Sequence, residues 1–308
     1  MVGRIERWTG AGRLLFCLWR RHTRHRGIGA RGILNHSGYK RLSGVSMFQL
    51  DAHQKEFMDT FGYLHFPGLL DDRIDEITEA FDGLLKKNGG DDHEGLERLA
   101  VAPFINHDPY LCTLLDDPRI QGIAAGLLGE RYQYWNSDGN FYVGDTRWHS
   151  DTQWPEPIRF YKMAIYLDPM TRDTGALRVI PGSHRFGEEY AETIHEHLSG
   201  KRDGWGGLHG SEVPAIAVET RPGDLAVFNH STKHSAWGGG KKRRMFTLVY
   251  TGLHTDGRDL EAFRKIIRQH GYTTREVFGG EEGPLLSTAT PERLRHLQNL
   301  ISYIPKAA

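Results

Sequence analysis

Between residues 132 and 251 the sequence alternates short apolar runs with turns, and this pattern limits the folds open to the chain. The runs are rich in aromatic and β-branched residues, and Gly, Pro and Asp separate them. They occupy residues 160–167, 177–180, 215–219, 225–228 and 245–250. Many short strands with regular turns predict a β-sandwich or barrel.

Helical patterns precede and follow this β region. Asp51 and Gln54 form a predicted capping box, and Gly62 is placed to end the helix that follows. Apolar residues at helical spacing predict a second helix, capped by Asp71 or Asp72. The predicted helices run from Asp51 to Gly62, from the cap at residue 71 or 72 to residues 88–90, from about residue 117 to Gly129, and over about 260–270 and 291–301. This order predicts a mainly β fold, with a double-stranded β-helix (jelly roll, cupin-like) core and flanking helices.

The distribution of charge indicates where the folded domain begins. Residues 1–46 contain nine Arg and one Lys against a single acid, so they carry +9, and the rest of the chain carries −9 because the total is +0. We expect residues 1–46 to be a basic leader, disordered or outside the domain. Residues 47–308 are predicted to form one domain with its β core at about 132–251. The leader is either an organelle transit peptide or a dispensable stretch upstream of a start at Met47.

Composition narrows the cofactors and the compartment. The chain contains two cysteines, Cys17 and Cys112, which excludes a disulfide framework or a zinc–thiolate site. A reducing interior suits such a chain, so we expect a cytoplasmic protein, or a mitochondrial one if the leader is a transit peptide. The apolar run at residues 14–19 is far shorter than the roughly 20 residues that span a bilayer, so no membrane partner is expected.

Two histidines and a carboxylate form a candidate metal site. His149 and Asp151 are two residues apart, so on a strand both side chains would point to the same face. His234 would come from a different strand, and His230 competes with it for that role. Two imidazoles and one carboxylate are the ligand set of a non-haem Fe(II) centre that keeps coordination positions open. The sequence therefore predicts an iron site at His149 and Asp151 with a distal histidine, His234 or its competitor His230, and His234 lies nearer the basic run that follows.

A basic run, residues 241–244, follows the last of these histidines. Arg243 or Arg244 is placed to bind a carboxylate group, because a guanidinium donates two parallel N–H groups to it. Only one of the two can face inward on a strand. A nucleic-acid-binding patch is the other interpretation of this run. We do not expect a nucleic-acid partner, because the run is short and the folded part is acidic.

Several segments together resemble the phytanoyl-CoA dioxygenase (PhyH) family of Fe(II)- and 2-oxoglutarate-dependent oxygenases. The matching segments are FGYLHFPGLL at residues 61–70, Trp148-His149-Ser150-Asp151, GALRVIPGSH at residues 175–184, Pro222-Gly223-Asp224, and His234 with Arg243 after it. The resemblance covers about residues 47–255. It implies that His149, Asp151 and His234 bind Fe(II). It also implies that Arg243 anchors 2-oxoglutarate, with Arg244 as the alternative.

The resemblance implies an O₂-dependent hydroxylation. 2-Oxoglutarate would be decarboxylated oxidatively to succinate and CO₂, and a small-molecule substrate would be hydroxylated. Relatives that halogenate replace the carboxylate ligand with a small residue, and this chain keeps Asp151. We expect a polar or anionic substrate, which Arg159 or Lys162 would contact unless they are surface charges. Residues 186–213 are long enough for a lid over the site.

Two other classes of function stay open. One is a metal-binding jelly-roll protein whose chemistry does not use 2-oxoglutarate, and such a protein would not need Arg243 or Arg244. The other is a non-enzymatic binding module that has kept the fold. The complete set of His149, Asp151 and His234 favours an enzyme over a binding module. The sequence does not indicate an oligomeric state.

Overall fold

The computed structural model describes residues 39–42, 45–90, 98–152, 158–198, 204–240, 243–271, 273–279 and 283–305. The predicted leader lies outside these residues except at its end, where Tyr39–Leu42 pairs with Val45–Phe48 in an antiparallel hairpin. This hairpin crosses the predicted domain boundary at Met47. The boundary therefore stays a prediction.

Strands and helices follow the predicted order. The strands are β1 (Tyr39–Leu42), β2 (Val45–Phe48), β3 (Tyr63–Phe66), β4 (Leu99–Val101), β5 (Tyr132–Tyr142), β6 (Thr146–His149), β7 (Phe160–Tyr166), β8 (Leu177–Val179), β9 (Gly204–Trp205), β10 (Leu208–His209), β11 (Ile216–Val218), β12 (Leu225–Asn229), β13 (His234–Ala236) and β14 (Arg243–Gly252). The α-helices are α1 (Ala52–Phe61), α2 (Ile74–Leu85), α3 (Pro109–Cys112), α4 (Pro118–Leu128), α5 (Glu189–His197), α6 (Gly257–His270), α7 (Thr274–Phe278), α8 (Pro284–Ser287), α9 (Pro291–Arg295) and α10 (Gln298–Tyr303).

Two antiparallel sheets form the centre of the fold. The larger sheet has the strand order β3-β12-β7-β14-β5-β4, and the smaller has the order β11-β8-β13-β6. From β5 to β8 each successive strand changes sheet, and β11 to β14 do the same. This alternation is the double-stranded β-helix, or jelly roll, so the predicted fold class is confirmed. Each predicted β run lies within or overlaps a strand of these sheets.

Apolar side chains cover both faces of the larger sheet. A small cluster, which includes Ala164, Leu177, Phe228 and Met245, lies between the two sheets. A much larger cluster joins the outer face of the larger sheet to the flanking helices. The inner cluster consists of few residues, and polar and charged side chains occupy the neighbouring inner positions. The inter-sheet space is therefore only partly filled by apolar side chains, and a cavity remains there.

The first helix is built as its sequence predicts. Asp51 accepts a hydrogen bond from the backbone of Gln54, and the Gln54 side chain accepts one from the backbone of Asp51. Gly62 ends α1 in the left-handed conformation, with φ of 83°. A Cβ atom at Gly62 would lie 2.5 Å from His184 Nδ1, so no larger residue fits there without a shift. These contacts confirm the capping box and the glycine terminus.

Two details of the helix predictions are wrong. Arg73 occupies the N-cap of α2, without a side-chain hydrogen bond to the helix. Asp71 and Asp72 instead pair with arginines distant in sequence, Arg221 and Arg119. The predicted helix at 291–301 is divided into α9 and α10. The two carboxylates that the sequence pattern predicts as caps of α2 therefore form ion pairs with distant residues instead.

The segment predicted as a lid packs elsewhere. Helix α5 buries Ile194 against Trp148 and Trp237, on the outer side of the smaller sheet. Among the described residues of 186–213, none lines the inter-sheet cavity. The lid interpretation is therefore wrong for these residues. Across the described part of the chain, every helix is too short or too polar to cross a membrane.

Replacing Phe246 with alanine should destabilise the fold strongly. Phe246 is completely buried, and its ring lies 5.9 Å from Phe104 and 6.1 Å from Phe81 between ring centroids. A cavity of this size costs about 3–5 kcal/mol in the free energy of unfolding. Urea denaturation measures the loss. The matched control is Phe186→Ala, because that ring is 60% exposed, and it should change stability by less than about 0.5 kcal/mol. Equal losses in both variants would contradict the described core.

Candidate metal centre

Three side chains, two from adjacent strands and one from the bend after β6, meet at one end of the cavity. His149 ends β6 and His234 begins β13, and the two are directly paired in the antiparallel register. Their ring centroids are 4.1 Å apart. Asp151 lies in the bend after β6, where its backbone N–H donates to the carbonyl of His230 at 3.0 Å. One potential ligand atom from each of the three side chains lies within 4.8 Å of the others.

The position of Asp151 differs in one respect from the sequence prediction. The i, i+2 spacing predicts a shared strand face for His149 and Asp151, but the strand ends at His149. The bend still directs the carboxylate to the same place. Asp151 Oδ1 is 3.7 Å from His149 Nε2, and Asp151 Oδ2 is 3.6 Å from His234 Nε2.

Backbone carbonyls orient both imidazoles in the same way. His149 Nδ1 is 2.8 Å from the carbonyl of Arg147, and His234 Nδ1 is 2.9 Å from the carbonyl of Thr232. A carbonyl only accepts, so each Nδ1 carries the proton. Each Nε2 then presents a lone pair toward Asp151. This outer contact is the one that metal-binding histidines commonly make.

The local electrostatics suit metal binding. Burial opposes the charge of Asp151, but the Lys162 ammonium and the neighbouring imidazoles outweigh it and hold the pKa of Asp151 well below its usual value. Burial, with His149 nearby, lowers the pKa of His234 to about 3. At neutral pH the carboxylate is therefore ionised and the His234 imidazole is neutral. These are the protonation states that a metal requires.

Lys162 is part of this site and is not a surface charge. Its Nζ lies 2.8 Å from Asp151 Oδ2 and 3.9 Å from Asp138 Oδ1. Burial opposes its charge, but Asp151 and Asp138 outweigh burial and raise the pKa of Lys162. Alternate side chains of β7 from Lys162 to Tyr166 face the cavity, so Lys162 lies on the same inner face as Ala164 and Tyr166. This period-two pattern could have placed Lys162 in the site from the sequence. Asp138 carried no comparable signal.

The cavity extends from the three side chains between the two sheets. It is lined by Asp138, Tyr142, Thr146, His149, Asp151, Lys162, Ala164, Tyr166, Gly175, Leu177, Phe228, His234, Ser235, Ala236, Arg243, Met245 and Thr247. Polar and charged side chains therefore occupy a large part of its wall. Thr247 donates a hydrogen bond to Asp138. Asn140 Nδ2 also donates to Asp138, at 2.6 Å.

The two adjacent arginines of the basic run have different surroundings. Arg243 is buried in the cavity wall and donates to the carbonyls of Gly175, at 2.9 Å, and Gly144, at 2.5 Å. Its Nε is buried and has no hydrogen-bond partner among the described residues. Arg244 points away from the cavity and pairs with Asp168 and Asp82, at 2.8 Å each. Of the two alternatives, only Arg243 faces the candidate site.

Two other residues near the site, His230 and Trp148, are not among the potential metal ligands. His230 Nε2 is 4.0 Å from Asp151 Oδ2, but its ring stacks on Phe160 with centroids 5.4 Å apart. It does not belong to the group of potential metal ligands. Trp148 faces away from the site and donates to the carbonyl of Gly210, at 2.9 Å. Trp148 therefore packs on the side of β6 opposite the site, because alternate residues of a strand face opposite ways.

Comparison with known proteins gives one family match. Residues 58–245 match the family model of phytanoyl-CoA dioxygenase (PhyH), which is more than half of the chain. Uncharacterized proteins of Mycobacterium tuberculosis and Mycobacterium bovis are each 26% identical to it over 163 residues, covering 46% of this chain and 53% of theirs. The chain thus spans about half the length of these curated relatives.

Solved structures with the same fold have low sequence identity to this chain. EctD from S. alaskensis, with 2-oxoglutarate and 5-hydroxyectoine, has a TM-score of 0.51 and 24% identity, and the match covers 66% of this chain and 76% of EctD. HygX from Streptomyces hygroscopicus, with nickel and 2-oxoglutarate bound, has a TM-score of 0.53 and 14% identity, over 68% of this chain and 93% of HygX. These similarities support the jelly-roll fold.

Removing His234 should abolish tight binding of a divalent cation, whereas removing His230 should not. We expect His234→Ala to weaken Co(II) binding by more than about 100-fold, because a ligand is lost as well as its orienting contact. His230→Ala is the matched control, since its imidazole is also buried beside Asp151, and it should change affinity by less than about tenfold. Calorimetric titration with Co(II) measures both. A larger effect from His230→Ala would reassign the ligand.

Proposed function

This chain belongs to the phytanoyl-CoA dioxygenase family, and from that premise we propose that it is an Fe(II)- and 2-oxoglutarate-dependent dioxygenase. It hydroxylates a small-molecule substrate and releases succinate and CO₂. The observation that carries this proposal is the presence of His149, Asp151, His234 and Arg243 around one cavity. The first three residues would hold the metal, and Arg243 would hold the co-substrate.

The donor set fits Fe(II). Two imidazoles with free Nε2 atoms and one ionised carboxylate would hold the metal and leave positions open for other ligands. When bound, the metal and 2-oxoglutarate supply the electrons for O₂ activation. The chain's own residues position the reactants, because the carbonyls of Arg147 and Thr232 fix the two imidazole rings.

Arg243 fits the distal carboxylate of 2-oxoglutarate. Among the described residues it contacts carbonyl oxygens but forms no ion pair with a carboxylate, and its Nε is buried without a partner. Burial also lowers the pKa of Arg243. A buried guanidinium in this state is stabilised by an anion. A bidentate carboxylate would pair with it and would fix the orientation of the co-substrate.

The reaction we favour is hydroxylation of a polar substrate. The intact Asp151 carboxylate occupies the position that halogenating relatives leave to a halide. Asp138, Lys162 and Thr247 give the cavity wall charged and hydroxyl groups, which support a polar substrate over an apolar one. A second candidate is jelly-roll metal chemistry without 2-oxoglutarate. Arg243 argues against this second candidate, because it is buried without a carboxylate partner among the described residues. Chemistry without 2-oxoglutarate does not need a buried, unpaired guanidinium.

The proposal is tested by anaerobic titration of the protein with Fe(II) and 2-oxoglutarate. We expect a weak visible charge-transfer band, and succinate once O₂ is admitted. Asp151→Ala should abolish the band. An iron-loaded protein with no band and no succinate would favour metal chemistry without 2-oxoglutarate. A protein that binds no iron would favour a non-enzymatic binding role.

The adjacent arginines provide a matched pair of variants for the co-substrate site. Arg243→Gln should raise the Kd for 2-oxoglutarate about 10- to 100-fold, since hydrogen bonds to charged groups contribute roughly 1.5–3 kcal/mol. Arg244→Gln removes the same charge one residue away and should change that Kd by less than about threefold. Titration followed at the charge-transfer band gives both constants. A reversed order would exchange the roles of the two arginines.

A further inference from the structure

Each of the three candidate ligands has an outer contact, and that of Asp151 is of a different kind. His149 and His234 donate to backbone carbonyls, whereas Asp151 Oδ2 is held by the Lys162 ammonium at 2.8 Å. We propose that Lys162 is a positioning residue that fixes the Asp151 carboxylate, so that one oxygen is presented to the metal and a position is left open for 2-oxoglutarate. This inference rests on the proposed function.

The geometry assigns different surroundings to the two carboxylate oxygens. Oδ2 accepts from Lys162 and lies 3.6 Å from His234 Nε2, while Oδ1 lies 3.7 Å from His149 Nε2. An ionised carboxylate has several lone-pair sites, and it can bind a metal through one or both oxygens. A carboxylate held at Oδ2 cannot rotate freely into a two-oxygen arrangement. Lys162 thus limits how much of the coordination shell Asp151 occupies.

Lys162 is itself held in place. It projects from β7, which pairs with β12 on one side and β14 on the other. Its Nζ is also 3.9 Å from Asp138, which accepts from Thr247 and Asn140. Ligands of metals are positioned by such chains of outer contacts, whose loss typically costs 10- to 100-fold in metal affinity.

The charges around the cavity explain why a lysine can be kept here. Asp138 offsets the charge of Lys162, so the pair adds little net charge near the metal. The direct contact with Asp151 is therefore the main effect of the lysine. Its side chain is only 16% exposed, and replacing a buried ion pair of this kind by apolar residues is often neutral or stabilising, so stability alone does not explain the pair.

The test is Co(II) titration of Lys162→Met, which keeps the length of the side chain but removes its charge and donors. We expect Co(II) affinity to fall about tenfold and the visible Co(II) spectrum to change, without 2-oxoglutarate present. Lys162→Arg should recover affinity to within about threefold, because a guanidinium can also donate to Oδ2. Lys55→Met, at an exposed helical position, controls for the loss of one positive charge.

The outcomes separate this inference from the proposed function. If Lys162→Met matches the wild type in both Co(II) affinity and spectrum, the positioning role is overturned. It is also overturned if the variant binds Co(II) normally and loses only turnover, because the lysine would then contact the substrate. Absence of a 2-oxoglutarate band in the wild type contradicts the proposed function, and the Co(II) comparison still decides the role of Lys162. If the Met variant does not fold, Lys162→Gln takes its place, with the same loss of affinity expected.

Discussion

The site depends on the antiparallel pairing of β6 with β13. This pairing places His234 directly opposite His149, although the two are far apart in sequence. The alternation of strands between two sheets brings β6 and β13 together, and the larger sheet then closes the other wall of the cavity. Local contacts complete the arrangement, because each ring donates to the carbonyl two residues before it. The fold therefore builds the candidate metal centre from two paired strand ends and the bend that follows one of them.

Charge is distributed inside the cavity in a way that apolar packing alone would not produce. Asp138 and Asp151 both pair with Lys162, and Arg243 is buried without a carboxylate partner among the described residues. Buried charges are costly unless they are paired. The pairing of Lys162 with Asp138 and Asp151 stabilises these three charges within the protein itself. For Arg243, the proposed partner is the distal carboxylate of 2-oxoglutarate.

Sequence reasoning succeeded where one short-range pattern decides the structure. The Asp51 capping box, the Gly62 terminus and the β runs all appear as predicted, because hydrogen bonds and side-chain alternation within a few residues determine them. It failed where distant partners compete. Asp71 pairs with Arg221 instead of capping α2, and α5 packs on the outer face of the smaller sheet. Neither partner can be identified from the neighbouring residues.

The sequence by itself determined the fold class, the family resemblance and the candidate residues His149, Asp151 and His234. Residue type and spacing carry that information, because metal chemistry requires imidazole and carboxylate donors. Only the tertiary structure decided that Arg243 and not Arg244 faces the cavity, and that Lys162 contacts Asp151. These are questions of strand orientation and of contacts between distant strands. The packing of the two sheets determines both features, and no pattern among neighbouring residues predicts them.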